Sequence, residues 1–268
     1  MEPSILYTAA ASATHHQYLK GTPLFYLMIQ VRGLQKVYKT VTAVDDLSFT
    51  VHDGEIFGLV GPNGAGKTTT LKCICGVALP TQGLVLVDGI NLQKEEQKAK
   101  ELLAFVPETP NPYEILTVSE HLKFISMLYS VDNPEPKIEH LLNAFELDGK
   151  KDNLVNSLSK GMKQKLTICC ALVHDPHVLL LDEPLIGIDP RGARTLKDIL
   201  IERAAQGDSV IISSHMLYLV EELCHRILII DDGKKIAEGT LQEIRKKALA
   251  SSDASLEEVF LKITEEPL

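Results

Sequence analysis

Residues 61–70 read GPNGAGKTTT, and this stretch decides which fold the chain is expected to adopt. An apolar run at residues 56–60 precedes it, and a segment compatible with a helix follows it. Gly61, Gly64 and Gly66 can adopt backbone conformations that a residue with a Cβ avoids, so successive N–H groups can turn inward around a polyphosphate. The start of the helix adds about half a positive elementary charge. The stretch therefore predicts a strand, a phosphate-binding turn and a helix, in that order.

Two side chains complete the predicted phosphate site. Lys67 is expected to reach the β- and γ-phosphates of a nucleotide, and the Thr68 hydroxyl is expected to ligate Mg²⁺, as in a P-loop. The alternative is a glycine-rich turn without a ligand, but a lysine and a threonine directly after the last glycine favour the P-loop. The residues of the loop predicted to contact the nucleotide are Gly61, Pro62, Asn63, Gly64, Ala65, Gly66, Lys67, Thr68 and Thr69.

A second part of the site is predicted at Asp182 and Glu183. The four apolar residues before them, 178–181, indicate a buried parallel strand, and ligand sites in such sheets lie beyond the carboxyl ends of the strands. Asp182 is the candidate for the Mg²⁺ shell, and Glu183 is the candidate for the base that orients and deprotonates the attacking water. Alone, the pattern is typical of an ordinary acidic turn, and only Lys67 upstream favours the functional interpretation.

The stretch LSKGMKQ at residues 158–164 suggests a family. By itself it indicates a helix capped by Ser159. Together with the P-loop and the acidic pair, in this order and spacing, it makes the chain resemble the ATP-binding cassette (ABC) ATPases, whose signature is usually LSGGQ. Ser159 and Gly161 match the signature, whereas Lys160 and Met162 replace a glycine and the glutamine. The resemblance implies that this helix start binds the γ-phosphate of ATP held on the P-loop of a second protomer.

Three further positions fit the same resemblance. Tyr38 matches the aromatic residue that stacks on adenine, a contact worth about 1 to 3 kcal/mol. His215 matches the switch histidine that contacts the γ-phosphate, and Asp189 matches the D-loop aspartate at the protomer interface. Each has a structural alternative: a half-buried strand tyrosine, a histidine that ends a strand, and a helix cap before Pro190.

Glu108 departs from the family pattern, which has glutamine at this position. A carboxylate there could still ligate Mg²⁺ or hold water, with an extra negative charge near the triphosphate. Glu108, the altered signature and the segment SLEEVFLKIT at 255–264 resemble the ABC-2-type branch of bacterial exporter ATPases. The resemblance covers nearly everything from Met28 onward. It implies that residues 109–115 form the surface on which a membrane subunit docks; the alternative is an exposed proline-rich loop.

The expected organisation is an α/β P-loop NTPase core of the ABC type, with a β-rich N-terminal subdomain and an inserted helical subdomain. Residues 1–27 are expected to be a flexible extension, from an upstream start or a foreign sequence, because they are small, polar and without periodicity. The ABC ATPase domain is predicted at 28–268, its helical subdomain at about 109–174 and a helical tail at about 240–268. Further strands are predicted near 84–87, 103–106, 209–213 and 226–230, helices near 191–205 and 216–224, and a helix break at 133–134.

Composition narrows the possible partners. The chain of 268 residues is 45% hydrophobic, which suffices for a large core, but no stretch is long and apolar enough to span a bilayer. A net charge of −9 argues against sequence-independent binding of nucleic acid. The five cysteines form no CxxC pair, so buried free thiols in a reducing cytosol are expected.

The resemblance implies the cytoplasmic ATPase subunit of an ABC exporter, peripheral on the inner face of the cell membrane. Two copies, as a homodimer, would bind two ATP molecules with Mg²⁺ and drive a separate integral membrane permease. One alternative is a soluble ABC ATPase acting on a cytosolic assembly such as an iron-sulfur scaffold, but that branch has an acidic residue where this chain has Met162-Lys163. A regulatory module without turnover would lack the base, and Glu183 is present. A GTPase is disfavoured because no N-K-x-D motif occurs.

Overall fold

A computed structural model describes residues 27–251 and 253–265 of the chain. The flexible extension predicted for residues 1–27 lies outside this part, apart from Leu27, and so does the end of the predicted tail, 266–268. The strands are β1 (Leu27–Tyr38), β2 (Val41–His52), β3 (Ile56–Val60), β4 (Gln82–Val87), β5 (Ile90–Asn91), β6 (Leu103–Val106), β7 (Val178–Asp182), β8 (Ser209–Ser213), β9 (Arg226–Asp231) and β10 (Lys234–Gly239).

Helices cover most of the remaining chain. Short 3₁₀ turns at Asp148–Lys150 and Val155–Ser157 lie between the fourth and fifth helices. The α-helices are α1 (Lys67–Ile74), α2 (Glu96–Glu101), α3 (Val118–Leu128), α4 (Glu135–Ala144), α5 (Lys160–Leu172), α6 (Pro190–Ala205), α7 (Leu217–Leu223), α8 (Leu241–Lys247) and α9 (Leu256–Glu265).

The sheet that carries the site has six strands within the described residues, in the order β10-β9-β3-β8-β7-β6. All neighbouring pairs are parallel except β10 with β9. Strands β3, β7 and β8 are buried at every position, as expected for central strands covered on both faces. Because β8 lies between β3 and β7, the three carboxyl ends meet at one edge, and the segments that follow them are brought together there.

Two apolar layers enclose this sheet. On one face, β1, β2, β4 and α1 pack against it, and the rings of Phe49 and Phe57 stack with centroids 5.4 Å apart. On the other face, α3 to α7 form a second core. Strand β7 alternates between the two, since Val178 and Leu180 belong to the first layer and Leu179 and Leu181 to the second.

The helical region between β6 and β7 begins and breaks where its sequence dictates. Thr117 and Glu120 form a capping box at the start of α3, each side chain bonding to the backbone of the other. Asn133 has a φ of 46°, a left-handed conformation that asparagine tolerates, and Pro134 precedes the first residue of α4. The helix break predicted at 133–134 is therefore present.

The C-terminal helices pack on β9, β10 and α7 in a third apolar cluster. Glu221 of α7 accepts hydrogen bonds from Arg245 Nη2 on α8 and from the backbone N–H of Leu256 at the start of α9, both at 3.0 Å. Among residues 27–251 and 253–265, none of the helices has the length and apolar character that a bilayer crossing requires.

The cysteines carry free thiols, as predicted. Cys73, Cys75 and Cys169 are buried, whereas Cys170 and Cys224 are only half-buried. Burial raises the pKa of the Cys73 thiol to about 11 and the pKa values of Cys170 and Cys224 to about 12.

Candidate nucleotide site

The loop at residues 61–70 connects β3 to α1, as the sequence predicts, and close backbone contacts explain two of its glycines. A Cβ on Gly61 would lie 2.2 Å from the carbonyl oxygen of Ile230, and one on Gly66 would lie 2.4 Å from that of Ala43. Gly66 also has a φ of 101° and directly precedes Lys67, the first residue of α1. Neither position can hold a larger residue without moving a neighbouring strand.

The Lys67 side chain is held inside the loop. Its Nζ donates hydrogen bonds to the carbonyl oxygens of Gly61 at 2.7 Å and Pro62 at 3.1 Å, and the residue is only 8% exposed. Burial lowers the pKa of this ammonium group, while the nearby carboxylates, with Glu183 the strongest, oppose that shift. The loop thus presents a partly desolvated cation.

Most of the predicted site residues line one cavity of about 320 Å³ beside the loop. Residues from the loop, from the carboxyl ends of β7 and β8 and from the segment after β6 contribute to its wall, as the strand order requires. The lining residues are Ala43, Asn63, Gly64, Gly66, Lys67, Thr68, Thr69, Glu108, Asp182, Glu183 and His215.

Asp182 is the last residue of β7 and is 1% exposed. It pairs with Ser213 of β8 in the parallel ladder, and the Ser213 hydroxyl donates a hydrogen bond to Asp182 Oδ1. Sequence analysis did not identify Ser213 as a site residue. The sequence places Ser213 at the end of an apolar strand. Its pairing with Asp182, however, depends on the order of the strands in the sheet.

Glu183 leaves the strand in a left-handed conformation, with a φ of 48°. Its backbone N–H donates to the carbonyl oxygen of Ser213 at 2.9 Å, which fixes the turn. A glutamate seldom adopts this conformation, which costs about 1 to 3 kcal/mol and persists only where the surrounding structure holds it.

The Glu183 carboxylate is held by the segment after β8. Its Oε1 accepts the backbone N–H of His215 and lies 2.8 Å from His215 Nδ1, and its Oε2 accepts the Ser214 hydroxyl at 3.1 Å. Glu183 is 6% exposed, whereas His215 is exposed. The two residues predicted to be catalytic are therefore in direct contact, and Ser214, which sequence analysis missed, orients one of them.

The oxygen donors of the cavity fit Mg²⁺. Thr68, Asp182 and Glu108 supply a hydroxyl and two carboxylates, the hard ligands that this ion prefers, and a phosphate and water normally complete its shell. Within the described ranges, no cluster of three or more His, Cys, Asp or Glu side chains could hold a metal ion by itself. The donor set therefore suits an ion that arrives with a nucleotide.

Ser159 and Gly161 do not line this cavity. Ser159 caps α5 by accepting the Met162 N–H at 3.3 Å. A Cβ on Gly161 would lie 2.3 Å from the carbonyl oxygen of Gly187, so the start of α5 contacts the backbone of the segment before α6. The predicted signature residues are thus not part of the cavity wall formed by their own chain.

Asp189 also lies outside the cavity and caps α6 by accepting the Gly192 N–H at 3.0 Å. Lys165 of α5, only 5% exposed, places its Nζ 2.5 Å from Asp189 Oδ2 and 3.9 Å from Glu146 Oε2. This ammonium group and the Gly192 N–H hold the pKa of Asp189 below its usual range. The sequence did not single out Lys165.

Tyr38 is at the end of β1 and is 44% exposed, with Lys36 Nζ lying 4.7 Å from its ring centroid. It is not part of the cavity wall, whereas Ala43 of the following strand is. Stacking of Tyr38 on adenine stays a prediction.

Comparison with known proteins identifies the family. A family model described as ABC transporter matches residues 44–186. The chain is 34% identical over 241 residues to the ABC-type transporter ATP-binding protein EcsA of Bacillus subtilis, covering 89% of this chain and 97% of that protein. It is 38% identical over 213 residues to the Nod factor export ATP-binding protein I of Paraburkholderia xenovorans, covering 79% and 70% of the two chains.

Solved structures agree with the sequence relatives. The ATP-binding subunit of an ABC transporter has a TM-score of 0.85 and 34% identity, covering 88% of this chain and 99% of that one. A dimeric ATP-binding cassette in a post-hydrolysis state with ADP and Pi has a TM-score of 0.72 and 25% identity, covering 80% and 99%. The predicted fold is confirmed, and the chain belongs to the ABC transporter family as an ATP-binding subunit that hydrolyses ATP.

Proposed function

We propose that this chain powers a membrane exporter through ATP-driven closure and opening of a dimer. The observation that carries the proposal is that one cavity of this chain is lined by Lys67, Asp182, Glu183 and His215 together. Relatives named for Nod factor export support the direction of transport. The chain would act on the cytoplasmic side, peripheral to the inner face of the membrane.

Each side chain of the cavity has a separate task in hydrolysis. Lys67 binds the β- and γ-phosphates, and its cation offsets their negative charge in a partly buried setting. Glu183 orients the attacking water and accepts its proton, and its hydrogen bonds with Ser214 and His215 keep the carboxylate pointed at the cavity. His215, the exposed member, contacts the γ-phosphate.

Thr68, Asp182 and Glu108 would hold Mg²⁺ in this site. When bound, the ion neutralises charge that develops on the phosphate oxygens. The Ser213 hydroxyl fixes the orientation of the Asp182 carboxylate, so this ligand would not need to reorganise when the nucleotide arrives.

The remaining contacts to ATP would come from a second copy of the chain. Ser159, Gly161 and Asp189 lie outside the cavity of their own chain, and in a dimer they would face the P-loop of the partner. ATP shared between two chains would stabilise the closed dimer over the open one. A dimeric structural neighbour with ADP and Pi supports this arrangement.

A membrane permease would dock on residues 109–115 and the adjoining face of α3. Tyr113 and Ile115 are 58% and 84% exposed, and Met127 and Leu128 of α3 are 78% and 63% exposed. The loop and α3 are neighbours, since the rings of Tyr113 and Phe124 have centroids 5.6 Å apart, and apolar side chains exposed on both suit a protein partner. Purification from membranes under mild detergent should recover an integral membrane protein with the chain; recovery of a soluble assembly alone would favour the cytosolic ABC ATPase instead.

Replacement of the base tests the hydrolytic mechanism directly. Glu183→Gln should bind ATP as the wild type does, lose turnover by orders of magnitude and accumulate as an ATP-bound dimer, because the amide cannot accept a proton. The ATPase rate measures turnover, and the molecular mass of the protein in saturating ATP shows whether a dimer forms. Glu139→Gln, on the exposed face of α4, is the matched control. Unchanged turnover in Glu183→Gln would remove this residue as the base.

A further inference from the structure

The loop after Glu108 is connected by its backbone to the segment that precedes the signature serine. Residues 114–119 run beside residues 151–156, with backbone hydrogen bonds of 2.9 to 3.3 Å between them. The second of these segments leads through the turn at Val155–Ser157 directly to Ser159. The loop and the start of α5 are therefore joined through one pair of hydrogen-bonded segments.

His121 of α3 bridges the same loop and α5 through its side chain. It is 5% exposed, its Nε2 lies 3.0 Å from the backbone N of Tyr113, and its Nδ1 lies 3.3 Å from Cys170 Sγ on α5. A backbone N–H can only donate, so Nε2 must be the acceptor. A neutral imidazole then carries its proton on Nδ1 and donates it toward the sulfur.

Protonation of His121 would break this arrangement, because both ring nitrogens would become donors and Nε2–H would face the Tyr113 N–H. Burial lowers the pKa of His121, which keeps the ring neutral near neutral pH. The imidazole contacts the Cys170 thiol and the ring of Tyr113, whose centroid lies 5.6 Å from its own.

A second contact joins the loop to the same face of α5. Lys163 Nζ lies 2.6 Å from Glu114 Oε1. Lys163 and Cys170 are two helical turns apart, about 10 Å along one face of the helix. The neighbouring loop residues 113 and 114 are thus linked to α5 at two separated points. Two such points fix both the distance of the loop from α5 and its orientation relative to the helix.

We propose that His121 is a positioning residue for ATP hydrolysis: it couples the seating of residues 109–115 to the placement of α5, and through α5 to the presentation of Ser159 to ATP on a second copy. The inference rests on the proposed function, because it takes Ser159 as a contact across the dimer. His121 carries more of the coupling than the Glu114–Lys163 pair, since Glu114 is 61% exposed and solvent screens that pair.

The test uses the full chain with ATP alone, in the Glu183→Gln background that holds the dimer. His121→Leu removes both hydrogen bonds, and Cys170→Val removes only the one to α5. Both should raise the dimer dissociation constant by roughly two- to tenfold, the effect of losing a neutral hydrogen bond. ATP affinity of the isolated chain should not change, because neither residue lines the P-loop cavity. A role in stability alone would lower the melting temperature and leave dimerisation unaltered.

Two conservative variants complete the design. Cys170→Ser keeps an acceptor for Nδ1–H and should dimerise like the parent, so it is the matched control for Cys170→Val. His121→Gln keeps an acceptor near the Nε2 position and should fall between His121→Leu and the parent. Equal dimerisation in Cys170→Val and Cys170→Ser would overturn the proposal, even if the histidine variants fail to fold.

A spectroscopic readout tests the hydrogen-bond directions independently of activity. Long-range proton–nitrogen correlation spectra of the full chain should assign the proton of the His121 ring to Nδ1, and a proton on Nε2 would contradict the proposal. Failure of the His121 proposal can be distinguished from failure of the proposed function. If Glu183→Gln stops turnover and forms the dimer while the His121 and Cys170 variants behave like their parent, only this inference is wrong.

Discussion

Single residues at the cavity differ in how firmly the fold constrains them. Glu183 has both an unusual backbone conformation and a carboxylate fixed by Ser214 and His215, so the fold determines where this carboxylate lies and which way it points. Lys67 is restrained by two loop carbonyls that ATP phosphates would replace as partners. The proposed base is therefore in place before a nucleotide arrives, whereas the proposed phosphate-binding cation would change partners on binding.

Loss of the Lys67 cation should abolish tight ATP binding. Lys67→Ala removes a charged donor facing the phosphates, and a hydrogen bond to a charged group contributes about 1.5 to 3 kcal/mol, or roughly ten- to a hundredfold in affinity. Equilibrium binding of a fluorescent ATP analogue measures this. Lys72→Ala, on the same helix but outside the cavity, is the control, and wild-type affinity in Lys67→Ala would defeat the phosphate-cradle assignment.

For secondary-structure elements, the sequence predicted where strands and helices lie along the chain better than it predicted which strands are adjacent in the sheet. The predicted strands at 103–106 and 209–213 coincide with β6 and β8, and the helix predicted at 216–224 is one residue shorter at each end. Each of these has a local signal, an apolar run or a turn residue. The placement of β8 between β3 and β7 has none, because parallel strands pair over long distances in the chain.

The same limit explains the site residues that sequence analysis missed. Ser213 and Ser214 acquire their roles only because β8 lies beside β7. Lys165 sits within an amphipathic helix, where a lysine is ordinarily exposed. It is buried because Gly192 leaves room for its stem: a Cβ there would lie 2.6 Å from Lys165 Cε. The motif residues were predictable because their chemistry is local; their supporting partners were not.

The contact between α5 and the start of α6 should be measurable through Lys165→Met. Methionine keeps the buried stem but removes the cation, and stability should fall by up to about 1 kcal/mol, since the Asp189 carboxylate is half exposed. Because the pKa of Asp189 is depressed in the folded chain, this stabilisation is present above the ordinary value of 3.8 and is lost as pH falls through the lower folded value.

Urea unfolding at several pH values tests that expectation. The difference between Lys165→Met and the wild type should shrink in acid, and Lys160→Met, at an exposed position of the same helix, should have no such effect. A difference that stays constant with pH would show that the ion pair with Asp189 is not how Lys165 stabilises the chain.

At the scale of the whole molecule, the residues expected to contact ATP are divided between two surfaces. Ser159, Gly161 and Asp189, at the starts of α5 and α6, do not line the P-loop cavity of their own chain. A complete site on this arrangement needs two copies, and a lone copy would hold ATP without the contacts from Ser159.

Mixing two defective chains should restore part of the activity. Lys67→Ala lacks the phosphate cation and Ser159→Arg blocks the signature surface, so each should be inactive alone. A mixed dimer contains one site with an intact P-loop from one chain and an intact Ser159 from the other. ATPase activity should therefore appear on mixing, measured across a range of ratios. No recovery at any ratio, with Ser159→Arg still binding ATP, would argue against a site shared between copies.

The raised pKa values of the thiols have a practical consequence for testing the proposed docking of a permease. Alkylating reagents react with thiolates, and burial raises the pKa of every cysteine in the chain well above neutrality: Cys73, Cys75, Cys169, Cys170 and Cys224. A maleimide dye should therefore leave the native cysteines unlabelled during a short incubation. A cysteine introduced at Ile115, which is 84% exposed, would then take up a fluorophore alone and report quenching when a permease covers it.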